Sequence, residues 1–268
     1  MSGHAAVFKS FLCTPDLRVV YFSMRIPLWF IMGGVALLCS SFKHKNKGYP
    51  EFSIRSVRHV NLKKIPEPSD VVYDSTNSHL YIVSDHGILF ETDTNGTVLR
   101  KAKEEGLDYE GVEIAGEHIY VSDETPRKVY KYNKKDLSLE KTYTVNWSGG
   151  MNKAFESITY NYSKNCFVLV SEVPVVIIEY NENFEVLEKH PFHEARNMSS
   201  ARWYKGYLYL LSSLDECIFK LDPVSYTVLA KYKIGVYNPE GFAFDGNSKL
   251  MVTSDDLQRM YYFNKLPQ

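Results

Sequence analysis

No Gly-rich phosphate loop, no Gly-x-Ser-x-Gly elbow and no Cys-x-x-Cys pair occurs in the chain. P-loop nucleotide chemistry, α/β-hydrolase chemistry and dithiol or zinc-ribbon sites therefore have no footing. Excess charge is also missing: the formal net charge is -1 over 268 residues. No basic stripe interleaves with stacking aromatics, so nucleic acid is not an expected partner. Cysteine is scarce, and of four only Cys166 and Cys217 fall in the part expected to fold. They lie in different repeats, so no disulfide is implied and both read as small buried apolar residues. His86, His118, His190 and His193 show no metal-ligand spacing. Beyond residue 51 no ten-residue helical period occurs, which leaves an α/β fold without its crossover helices.

What the chain does have is aromatic residues, 20 Tyr and 15 Phe, which suit a pleated surface, and a five-fold repeat. A polar residue opens a short apolar strand in PSDVVYD from Pro68, YEGVEIAG from Tyr109, FESITYNY from Phe155, SSARWYKG from Ser199 and PEGFAFDG from Pro239. A second strand then ends on Ser84-Asp85, Ser122-Asp123, Ser171-Glu172, Ser212-Ser213 and Ser254-Asp255. From Ser69 through Glu110, Glu156, Ser200 and Glu240 the steps are 41, 46, 44 and 40 residues, the size of a propeller blade.

Within the second repeat, Gly111–Ala115, His118–Ser122, Lys128–Asn133 and Leu139–Val145 read as four strands divided by turns. The last repeat has residues for only three. The strand-like run Phe52–Leu62 precedes the first repeat with no blade of its own, and pairing it with the last repeat closes the ring and removes exposed edges. The expected fold is all-β: a five-bladed β-propeller of four-stranded antiparallel blades, the last closed by the N-terminal strand.

Ahead of the propeller domain, 51–268, the uncharged 13-residue stretch Ile26–Leu38 follows Met24-Arg25 and precedes Cys39-Ser40-Ser41. This order matches an export signal over 24–41, with 1–23 as an upstream extension, Met24 as the start and 42–50 as a linker. Cys39 resembles the lipidated cysteine of bacterial lipoproteins, although Leu38 stands where such signals carry a small residue. Plain cleavage near Ser41 and an uncleaved anchor are the alternatives. The expected location is outside the cytoplasm, at the cell membrane or envelope, with membrane attachment through an N-terminal lipid or anchor.

In an up-and-down blade the start of the first strand and the end of the second share one end of the sheet. Glu110, Glu156 and Glu240 should therefore ring one face of the disc with Asp85, Asp123, Glu172 and Asp255, while the fourth blade offers Ser200, Arg202, Ser212 and Ser213. Clustered carboxylates need a cation, donors or raised pKa values. A hard ion such as Ca²⁺, held by Glu110, Glu156, Glu240 and Asp255, would satisfy several at once. The alternative is structural: a Ser-Asp strand end also caps its turn, and Glu-Gly also serves close packing at the inner strand.

The strings Glu67-Pro68-Ser69, Leu80-Tyr81-Ile82-Val83-Ser84-Asp85, Asp108-Tyr109-Glu110-Gly111-Val112 and Pro239-Glu240-Gly241-Phe242 resemble the SdiA-regulated, YjiK-like propeller family of bacteria. The resemblance implies an exported or envelope-associated β-propeller. The Glu-Gly openings are also similar to those of calcium-dependent propeller phytases and lactonases. The phytases' Asp-rich opening has only Pro68-Ser69-Asp70-Val71 as a counterpart here, and no His stands beside the acids as a lactonase needs. The expected function is a binding or scaffolding module that takes a small ligand or an envelope protein at the acidic mouth. A calcium-dependent hydrolase is the competing reading.

Overall fold

The computed structural model describes residues 51–52, 57–147 and 154–266. The proposed signal, linker and Cys39 lie outside them. Strands β1 (Glu51–Phe52) and β2 (Arg58–Asn61) precede five repeats. Blade 1 holds β3 (Pro68–Asp74), β4 (His79–Ser84), β5 (Ile88–Thr92) and β6 (Val98–Lys101). Blade 2 holds β7 (Tyr109–Ala115), β8 (His118–Asp123), β9 (Lys128–Asn133) and β10 (Leu139–Thr144). Blade 3 holds β11 (Phe155–Asn161), β12 (Cys166–Ser171), β13 (Val176–Tyr180) and β14 (Val186–Pro191). Blade 4 holds β15 (Ser200–Tyr204), β16 (Tyr207–Ser212), β17 (Cys217–Leu221) and β18 (Val228–Ile234). Blade 5 holds β19 (Pro239–Phe244), β20 (Lys249–Ser254) and β21 (Arg259–Lys265), completed by β2.

Strand chemistry follows position in the blade. The second strands β4, β12 and β16 are almost continuously buried and correspondingly apolar. They are covered on both faces by neighbouring blades. The outermost strands β10 and β14 lie mostly open and read LEKTYT and VLEKHP. Each seam between blades has its own apolar cluster, such as Val83, Val112 and Val121 between blades 1 and 2, or Leu211, Phe242 and Val252 between blades 4 and 5. Five seams thus replace one central core, and the channel between the inner strands is left for polar side chains.

The ring closes as expected, over a shorter segment. Arg58–Asn61 pairs antiparallel with β21, Arg58 opposite Tyr262 and Asn61 opposite Arg259. Leu62 donates its N–H to Gln258 O at 2.7 Å, and its side chain is fully buried between blades 5 and 1. The start of the run goes elsewhere: Glu51–Phe52 pairs parallel with Lys233 and Ile234 on the outer edge of blade 4. Blade 4 therefore has five strands. Both cysteines of the domain are free thiols in one cluster between blades 3 and 4.

Candidate functional site

The polar openings of the repeat are β-bulges. Pairing between the first and second strands slips between Pro68 and Asp70, Tyr109 and Gly111, Phe155 and Ser157, and Pro239 and Phe242. The extra residues are Ser69, Glu110, Glu156 and the Glu240-Gly241 pair. A bulge re-aims a side chain out of the ladder, and all three glutamates line one cavity at the channel end. Blade 4 has no slip and no acid at this place. The glycine after the glutamate answers to the neighbouring blade. A Cβ on Gly111 would stand 2.6 Å from Ile158 N, and one on Gly241 2.6 Å from Asp70 Cα.

The cavity, about 210 Å³, is lined by Asp85, Glu110, Glu156, Glu172, Glu240 and Asp255, with Asn197, Met198, Ser199 and Ser213 on the blade 4 side. No cationic residue is among its lining residues. Burial pushes Glu110 well up, reinforced by Asp85, Asp108, Glu124 and Glu240. Glu156 is raised well up by burial and by Glu110, Glu124 and Glu172. Burial, then Asp255 and Asp85, lift Glu240 to about 8. Asp255 rises to about 6, again from burial and then Asp85. Its Oδ1 is buried and accepts no hydrogen bond. Glu156 and Glu124 share a hydrogen bond, and Ala154 N–H donates to Glu124 Oε1 at 2.7 Å. Asp108, Glu110 and Glu124 offer carboxylate oxygens all within 4.8 Å of one another.

Two of the expected residues lie elsewhere. Asp123 is a cap: its carboxylate accepts the backbone N–H of Leu107 and of Asp108, each at 3.0 Å, and it does not line the mouth. Arg202 is two residues deeper along β15 than Ser200, which carries it down the channel. There its Nη2 donates to Asp70 Oδ2 at 2.6 Å across the ring and Nη1 donates to Ala201 O at 2.7 Å. Asp70 also accepts Ser200 Oγ and the Val112 N–H, both at 2.9 Å. Burial pushes the Asp70 carboxyl up while Arg202 pulls it down. Losing either partner would strand a buried charge, at about 3–5 kcal/mol. Below them Thr159 donates to Glu113 at 2.6 Å.

Asp108, Glu124, Asp70 and Glu113 are the site and channel residues that the repeat did not single out. Asp108 stands two places before Glu110 and Glu124 next to Asp123, so the acid-rich DYEG and SDE strings of blade 2 carry the signal. Nothing in the sequence pairs Asp70 with Arg202, 132 positions apart. A further acid group, Glu179, Glu188 and His190, lies on the third and fourth strands of blade 3, with Glu179 buried against Tyr226 of blade 4. There Lys164 already donates to Glu179 at 2.6 Å and neutralises it.

A family model described as SdiA-regulated matches residues 51–264. The chain belongs to the SdiA-regulated family. Among solved structures, this SdiA-regulated propeller is similar to glutaminyl cyclase from Myxococcus xanthus, at 14% identity over 78% of this chain and 96% of that one, TM-score 0.63. It is similar as well to the beta-propeller domain of Cps50 (Swd1) from Myceliophteria thermophila, at 8% identity over 80% and 99% of the chains, TM-score 0.52. At such identities the likeness is one of fold alone. No curated protein matches the chain.

Proposed function

We propose that this SdiA-regulated propeller is a cation-dependent binding module whose acidic mouth holds a hard divalent ion, Ca²⁺, and presents it to an oxygen-bearing ligand or partner at the cell envelope. The observation that carries the reading is the set of unneutralised carboxyls around one small cavity, Glu110, Glu156, Glu240 and Asp255, with Asp255 Oδ1 buried and unpartnered. Like charges this close hold protons unless a cation replaces them. Glu110 of this lining also stands with Asp108 and Glu124, behind the cavity wall, in a group whose carboxylate oxygens lie within 4.8 Å of one another, the oxygen-only donor chemistry that Ca²⁺ takes at about 2.3–2.6 Å. Asn197, Ser199 and Ser213 of blade 4 leave one sector of the mouth without charge, where a ligand oxygen would approach. Export by the segment 24–41, with Cys39 as the lipid-bearing residue, would set the domain in a calcium-rich compartment.

The test is the metal content of natively purified full-length protein together with its melting temperature. Bound Ca²⁺, or a rise in melting temperature on adding it that Glu110→Gln, Glu156→Gln and Glu240→Gln together remove, supports the reading. A metal-free protein whose melting is indifferent to Ca²⁺ overturns it. A calcium-dependent hydrolase is the second reading, favoured by the adjacent Glu156 and Glu124 carboxyls, of which Glu124 belongs to the donor set. Turnover of phosphate monoesters or lactones that requires Ca²⁺ would select it.

A further inference from the structure

A cavity of about 490 Å³ lies at the seam of blades 4 and 5 and belongs to none of the chemistry above. Tyr204 ends β15, whose other end, Ser200, follows directly on the mouth-lining Ser199. About 13 Å of strand therefore separates the two places, and the cavity opens on the opposite face of the disc. Its walls are aromatic: Tyr204 and Phe244 stack with ring centroids 4.2 Å apart and planes at 15°, and Tyr207 and Tyr209 continue the surface. Lys205, Lys220 and Lys265 stand around it, and no carboxylate lines it.

The arrangement is held in place. Ser248 Oγ receives both Tyr204 Oη and Lys205 Nζ at 2.7 Å, which ties the turn of blade 4 to the turn of blade 5. Lys220 Nζ lies 3.9 Å from the centre of the Tyr207 ring. Lys205 and Gly206 both take positive φ, 47° and 79°, in the two-residue turn between β15 and β16. Asn and Gly adopt that conformation more readily than lysine does. At the corresponding turns of blades 1, 3 and 5 the left-handed residues are Ser78, Asn165 and Ser248. Only blade 4 puts an amine there. None of the three lysines forms an ion pair among the described residues.

We infer that this cleft is a second binding site, for a small organic anion built on a ring. The ring would lie against the Tyr207, Tyr209 and Phe244 surface, and the anionic group would be held among Lys205, Lys220 and Lys265. The cavity size is that of a small-molecule site, about 300–1,000 Å³. The local charge suits an anion: three lysines and no carboxylate line the cleft.

The test titrates the full-length protein, with EDTA present, against glucuronate, benzoate, inorganic phosphate and glucose by calorimetry and tyrosine fluorescence. At least one ring anion is expected to bind about tenfold more tightly than phosphate or glucose, and whichever of glucuronate and benzoate wins identifies a sugar acid or an aromatic acid. Lys205→Gln, Lys220→Gln and Lys265→Gln combined are expected to weaken it about tenfold, with a single cooperative melting transition retained. Glu110→Gln, Glu156→Gln and Glu240→Gln are expected to leave it intact. The inference is overturned if neither ring anion binds at about 10 mM, if phosphate binds equally well, if the lysine variant binds as before, or if the glutamate variant abolishes binding. The glutamate arm and the EDTA keep this outcome separate from that of the acidic mouth.

Discussion

At the scale of single residues, the repeated Glu-Gly pair performs two tasks that the sequence superimposes. Glu110 and Glu240 are aimed by bulges into the mouth, whereas Gly111 and Gly241 let the next blade's backbone come close. The sequence allowed both a packing and a binding explanation: the packing one holds for the glycines, and the glutamates line the cavity on which the proposed binding rests. Gly111→Ala and Gly241→Ala are expected to destabilise by about 1–3 kcal/mol through overpacking. Gly116→Ala meets nothing within 4 Å and bears only its positive φ of 63°, so about 1 kcal/mol is expected. Urea midpoints of the three variants check the order. Asp123 marks the limit of the pattern: it shares the strand-end position of Asp85 and Asp255, but the loop Gly106–Asp108 folds over it and takes both its oxygens. Loop conformation is not written in strand periodicity.

At the scale of the strand and blade, the sequence is most legible. Lys128–Asn133 is a strand with the expected bounds, and His118–Asp123 and Leu139–Thr144 differ from expectation by a residue. Alternation and turn residues are local signals, and an antiparallel meander uses only local pairings. The closing strand was visible because one run had no blade and one blade lacked a strand. Its division between blades 5 and 4 was not, because a two-residue parallel pairing leaves no periodic trace. If closure stabilises the ring, Leu62→Ala should lower stability by about 2–5 kcal/mol, since Leu62 is fully buried in the blade 5–1 seam. Leu187→Ala on the open outer strand of blade 3, 57% exposed, is expected to change it by no more than about 0.5 kcal/mol. Equal effects in chemical denaturation would remove closure as a source of stability.

At the scale of the whole molecule, the ring gathers onto one rim carboxyls from residue 85 to residue 255, and their repulsion becomes a property of the fold. Glu240 at about 8 and Asp255 at about 6 stand above their ordinary 4.5 and 3.8, so the folded state binds more protons than the unfolded chain between those values. Without a divalent ion, stability is therefore expected to fall as pH rises from about 5 through about 8. Added Ca²⁺ should restore it, most at the alkaline end, where it replaces protons already leaving. Melting curves across that range, with EDTA and with Ca²⁺, check both signs; a flat profile in EDTA would contradict the electrostatics drawn for the mouth.

The most direct measurement is a calorimetric titration of Ca²⁺ into the full-length protein at about pH 8.5, above the Glu240 value, beside the same titration of the Glu110→Gln, Glu156→Gln, Glu240→Gln variant. The account expects saturable binding to the unaltered protein, with proton release that grows as pH is lowered toward neutrality, and no binding to the variant. Absence of binding to the unaltered protein, or equal binding to both, would contradict it.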